Sequence, residues 1–179
     1  MLAQQASRLQ ARRPAPGARR VVIRSALDTP RQSVDPMAAK PRAAKAEPGG
    51  VWSIQTPEDV DKVLGENKDR LVLIMCKASH CKPCKTFMPK YYRMAELLED
   101  SVLCELTGDM SQELKKMMIS WGVKSTPTFR MYRNGELVGS TTGSKETKLL
   151  PVLTELLLDT EKGKRMQPED LEDPTTDDD

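Results

Sequence analysis

Hydrophobic residues fall in short blocks along the middle of the chain, and the spacing of those blocks predicts its elements. Arg70 to Cys76 and Val102 to Leu106 are strand-length runs rich in Leu, Val and Ile, the pattern of buried strands. A shorter apolar stretch begins near Val51 and leads into Thr56-Pro57-Glu58-Asp59, where a capping hydroxyl, a first-turn proline and early acids predict a helix through about Asn67. A long helix is expected from Lys82 to Asp100, kinked at Pro89, and a shorter one from Ser111 to Ser120, closed by Gly122. Thr128 to Arg133 and Glu136 to Thr142 read as strands joined by the hairpin signal Asn134-Gly135, and Ser144 to Thr160 as a terminal helix despite Pro151. The order β-α-β-α-β-α-β-β-α predicts an α/β fold, a mixed central sheet flanked by helices.

At 179 residues the chain has room for one such domain with extensions at both ends. Its longest apolar run, Leu71 to Cys76, is far short of the ~18 residues a membrane-spanning helix needs, so a membrane role is not expected. The formal charge of +2 conceals an asymmetry: residues 1–46 carry a net +8, which leaves −6 on the remainder. Seven acidic residues and no basic one lie between Met166 and Asp179. The central part is nearly balanced and offers no basic surface for nucleic acid.

Met1 to Arg24 holds six Arg and no acid, with Leu2, Ala6 and Leu9 on one side of a short helix, a composition that resembles an organelle transit peptide rather than a secretory signal. Val21-Val22-Ile23-Arg24-Ser25-Ala26 resembles the end of a plastid targeting peptide, so the chloroplast stroma is the expected location and the mitochondrial matrix the alternative. Residues 1–46 are read as transit peptide and disordered basic linker, 47–162 as the folded domain, and 163–179 as a disordered acidic tail.

The candidate chemistry is Cys81-Lys82-Pro83-Cys84, placed where a buried strand turns into a helix. Unpaired N–H groups and the helix dipole at that point stabilise a thiolate, which makes Cys81 the nucleophile and Cys84, one turn further in, the resolving thiol. Pro83 stiffens the turn, and Lys82, Lys85 and protonated His80 add positive potential that favours the Cys81 thiolate. Cys76, His80, Cys81 and Cys84 supply four possible zinc ligands, but Cys76 falls inside a strand and no second Cys-x-x-Cys completes a site, so no metal is expected. Cys76 and Cys104 read as small core residues, with pairing between them as the alternative.

The run His80-Cys81-Lys82-Pro83-Cys84-Lys85 followed by Pro89 resembles the active-site helix of the thioredoxin family. Trp121-Gly122-Val123-Lys124-Ser125-Thr126-Pro127-Thr128 resembles its cis-proline segment, and Asn134-Gly135-Glu136 with Gly143 its hairpin and following glycine; the likeness spans about residues 51–160. The resemblance implies a thioredoxin fold and a thiol–disulfide oxidoreductase acting in cell redox homeostasis as a protein-disulfide reductase. It implies a cis Thr126-Pro127 bond beside the dithiol, with Thr126, Pro127, Trp121 and Gly143 meeting the substrate. It also implies protein disulfides as substrates, a thioredoxin reductase or other dithiol donor as partner, and no cofactor beyond the Cys81–Cys84 disulfide.

The chain departs from the family in two places: His80 stands where Trp is usual, and Met75 replaces a buried Asp that helps deprotonate the second Cys. The lysine that usually faces that Asp aligns near Glu105. Without this acid–base help the resolving step slows by up to ~10²-fold. The alternative reading is a catalytically weak binding or scaffold protein, or a redox sensor.

Overall fold

The computed structural model describes residues 49–172. The expected transit peptide and basic linker lie outside the described residues, as does the end of the acidic tail, residues 173–179.

Alternation along the central strands builds a core on each face of the sheet. Five strands, β1 (Val51–Ile54), β2 (Val72–Lys77), β3 (Val102–Thr107), β4 (Thr128–Arg133) and β5 (Glu136–Thr142), lie in the order β1-β3-β2-β4-β5. β3 pairs in parallel with β1 and β2, while β4 runs antiparallel to β2 and β5, so the sheet is mixed as expected. Leu71, Leu73, Met75, Phe129 and Met131 point into one core with Phe87, Tyr91 and Met94 of α2 (Lys82–Leu97) and Leu149, Leu150 and Leu153 of α4 (Glu146–Leu156). Val72, Ile74, Cys76, Cys104 and Leu106 point into the other, against α1 (Pro57–Glu66) and α3 (Gln112–Ser120).

Local chemistry sets the ends of these elements. The Asp59 carboxylate accepts the N–H groups of Gln55 and Thr56 at 2.9 Å and so holds the first turn of α1. The Ser111 hydroxyl accepts the Leu114 N–H at 3.1 Å at the start of α3. Asn134 and Gly135 both adopt positive φ (56° and 79°), as a tight hairpin with the sheet's twist requires. Helix α2 continues through Pro89 and stops at Leu97, three residues earlier than expected. There the Arg70 guanidinium donates to the carbonyls of Glu99, Asp100 and Ser101 at 2.9 Å and draws the chain out of the helix towards β3.

The expectation of a disordered tail from residue 163 is corrected for residues 163–172. Met166 and Leu171 are buried in the α2/α4 core, and Pro168–Leu171 forms a 3-10 turn against it. Two apolar side chains in an acid-rich stretch carry no helical or strand period, so the sequence pattern did not reveal a segment that folds by filling a groove.

Candidate functional site

The site is built from the N-terminus of α2 and the loops that flank it. Cys81 caps the helix: its sulfur accepts the Cys84 N–H at 3.1 Å and its carbonyl accepts the Lys85 N–H at 3.2 Å. The two cysteines are joined as a disulfide. Cys81 retains 8% exposure and Cys84 only 1%, so an incoming disulfide meets Cys81 first. A thiolate at Cys81 would keep that N–H contact and lie at the positive end of the helix dipole. His80, Lys82 and Pro83 are exposed around it.

Two loops complete the surroundings. Ser79 donates both its N–H, at 2.9 Å, and its hydroxyl, at 2.5 Å, to the Asp109 carboxylate, tying the strand-to-helix turn to the loop after β3. Those bonds, the hydroxyl first and then the amide, hold the Asp109 carboxyl below the usual carboxylate range, with a smaller contribution from nearby His80. On the other side, the Thr126–Pro127 peptide bond is cis and Pro127 is buried. Gly143, at φ 113°, donates its N–H to the Pro127 carbonyl at 2.9 Å, which brings these two expected site residues together. Thr128, next after Pro127, is the register partner of Cys76 near the end of β2, the strand that leads into the dithiol turn.

Met75 is fully buried on the α2 face, and its register partner on β3 is Glu105. The Glu105 carboxylate is engaged by Lys77 at 2.7 Å. Cys76 and Cys104 are free and completely buried on the α1/α3 face, and burial pushes both thiols up to about 12. They are offset, since Cys104 pairs with Ile74 and Cys76 with Leu106, so neither faces the other directly. Cys76 lies in the core opposite α2, apart from the dithiol, and no group of three metal-ligating side chains occurs among the described residues.

Trp121 ends α3 half-buried, with its ring turned onto Arg130 and Tyr132. The sequence reading did not single out Ser79, Asp109 or Arg130. Arg130 had a signal in the alternation of β4, where Phe129 and Met131 turn to one core and Arg130 falls on the other face. The Ser79–Asp109 bond joins residues 30 apart and had none.

A family model, Thioredoxin, matches residues 52–155. The chain is 35% identical over 85 residues to the chloroplastic F-type thioredoxin of Mesembryanthemum crystallinum, covering 48% of this chain and 44% of that protein. It is 30% identical over 107 residues to the thioredoxin of Oryctolagus cuniculus, covering 60% of this chain and 99% of that protein. Among solved structures, thioredoxin F from spinach chloroplast in its long form superposes with a TM-score of 0.56 at 28% identity, over 60% of this chain and 87% of that one. A redox protein from Chlamydomonas reinhardtii superposes with a TM-score of 0.61 at 29% identity, over 64% of this chain and 38% of that one.

Proposed function

The chain belongs to the thioredoxin family, and from that premise we propose that it is a thiol–disulfide oxidoreductase that reduces protein disulfides. The observation that carries this reading is the Cys81–Cys84 disulfide at the cap of α2, with the Cys81 sulfur on the Cys84 N–H and the outer cysteine the more accessible. In the reduced form the Cys81 thiolate attacks one sulfur of a substrate disulfide, forming a mixed disulfide and expelling the other substrate sulfur as thiolate. Cys84 then gives up its proton and attacks the Cys81 sulfur, which re-forms the Cys81–Cys84 bond and releases the second substrate thiol. Two electrons pass from the dithiol to the substrate. A thioredoxin reductase or another dithiol donor returns them, and the disulfide itself is the only redox group the cycle requires.

An extended substrate segment lies along the Thr126 backbone beside Pro127, in the manner of a strand added to a sheet edge. His80, Lys82 and Pro83 border the nucleophile and tune its charge. The Arg-rich, acid-free start of the chain and the chloroplastic relatives support a plastid location. Met75 favours a slow resolving step, because no carboxylate occupies its buried position to take the Cys84 proton.

Insulin reduction with dithiothreitol as donor tests the reading. Turnover by the chain, its loss in Cys81→Ser, and a trapped mixed disulfide in Cys84→Ser are the expected results. Turnover that survives Cys81→Ser, or none in the unaltered chain, would overturn it.

A further inference from the structure

Arg130 occupies an unusual place for an arginine. It lies in the middle of β4, with register partners Ile74 on β2 and Ser140 on β5, and shares its face of the sheet with Tyr132. That face is otherwise an apolar core of Ile74, Cys76, Val72 and the residues of α1 and α3. A guanidinium drawn into such a place loses hydration and persists only where donors and charge find compensation. None of the ion pairs among the described residues includes Arg130.

Its compensation is aromatic and directional. The guanidinium carbon lies 4.7 Å from the Trp121 ring centroid and 5.6 Å from that of Tyr132. Nε donates to the Tyr132 hydroxyl at 2.7 Å, and Nη1 donates to the Trp121 carbonyl at 3.1 Å. Arg130 therefore grips both the ring and the backbone of Trp121, the residue at which α3 ends. Between the two residues runs the loop 122–127, which includes the cis Thr126–Pro127 bond. The far end of this loop is fastened separately, through the Thr128 hydroxyl to the Ser125 carbonyl at 2.7 Å and the Gly143 N–H to the Pro127 carbonyl. Lys124 and Ser125, between the fastenings, are exposed.

We propose that Arg130 is the positioning residue of the substrate loop: by holding Trp121 against β4 it fixes the path of residues 122–127 and so the Thr126 backbone that an extended protein substrate pairs with. This rests on the oxidoreductase reading above. Arg130 touches neither sulfur, so its effect falls on recognition of a protein chain and not on thiol–disulfide exchange itself. Lysine replaces it only in part, because a point charge lacks the planar fork that stacks on the indole while donating to two different oxygens.

The test compares the full chain with Arg130→Met and Arg130→Lys on two substrates, insulin and the small aromatic disulfide 5,5′-dithiobis(2-nitrobenzoate), which has no backbone to pair with the loop. Arg130→Met should raise KM for insulin about five- to tenfold with kcat little changed, and leave the rate on the small disulfide within about twofold. Arg130→Lys should give an intermediate KM. In a Trp52→Phe background, which leaves Trp121 as the only indole, Arg130→Met should shift the emission to longer wavelength.

An unchanged insulin KM overturns the proposal. So does an equal fall on both substrates, which would make Arg130 a general support of the fold. A parent chain active on the small disulfide but not on insulin keeps the dithiol chemistry, overturns reduction of protein disulfides, and rejects this loop as a protein-binding element. A parent chain inactive on both rejects the oxidoreductase reading, and the positioning role with it.

Discussion

Burial raises the thiols of Cys76 and Cys104 from an ordinary 9.0 to about 12, so at pH 8 only about one molecule in 10⁴ carries a thiolate at either position. The reduced chain should therefore take up iodoacetamide first at Cys81, the more exposed of the dithiol pair, with Cys76 and Cys104 labelled only in denaturant; mass spectrometry of native and unfolded samples checks this, and prompt native labelling of Cys76 or Cys104 would contradict it. The same shifts couple stability to alkaline pH. Both folded values lie above the unfolded one, so the contribution is complete below about pH 9 and is lost as pH rises towards 12. The Tyr91 hydroxyl acts in the same direction: it is raised by burial first, and it donates to the carbonyls of Leu73 and Cys104 at 3.0 and 2.8 Å. Urea midpoints measured at pH 8 and pH 10.5 should fall accordingly. At the nucleophile's turn, Asp109→Ala removes the acceptor of both Ser79 bonds and frees the segment before Cys81. Attack on a disulfide should slow by about three- to tenfold, and Asp109→Asn, which keeps an acceptor oxygen, should recover most of it.

At the scale of elements, the parallel register of β2 and β3 decides what position 75 can do. Met75 sits opposite Glu105, whose carboxylate is already engaged by Lys77. A carboxylate introduced alone, as in Met75→Asp, would be buried beside a like charge, and the folded state should lose about 3–5 kcal/mol in denaturant melts. Met75→Asp with Glu105→Lys supplies the cation instead, and Lys77, already about 20% exposed, is then free to turn to solvent. The double variant should resolve a mixed disulfide with a model peptide up to ~10²-fold faster than the parent chain by rapid quench; an unchanged lifetime would show that proton transfer from Cys84 does not limit the step. The dithiol at its strand-to-helix turn and the Asn134-Gly135 hairpin were legible in the sequence, because apolar runs, turn residues and family spacing all act locally along the chain. Contacts between distant segments were not. Nothing local in Ser79 or Asp109 says that they meet, and Arg130 reveals its role only when α3 brings Trp121 over β4.

The whole molecule is longer than the family's matched region, which ends at residue 155, and the added segment closes the base of α2. Glu161 accepts both Nη groups of Arg133, at 3.1 and 2.8 Å, in a pair only 17% and 10% exposed. The Lys162 N–H goes to the Asp100 carboxylate and its ammonium to Glu99. Gly163, at φ 83°, lies so close to Leu98 that a Cβ there would strike that side chain. Met166 and Leu171 then fill the groove. Ending the chain at Thr160 removes all of these. Loss of two buried apolar side chains at roughly 1.5–3 kcal/mol each, reduced by the ordering entropy the segment no longer bears, should lower Tm by about 10 °C. The dithiol caps the opposite end of the 16-residue α2, about 24 Å away along the helix. Insulin reduction per folded molecule at 25 °C should therefore be unchanged in the shortened chain. A shortened chain that is fully stable would mean that the segment's contacts add nothing to the fold. One that is stable but inactive would mean that the segment acts through the length of α2 on the thiols, so the melting curve and the activity assay together separate support of the core from control of the site.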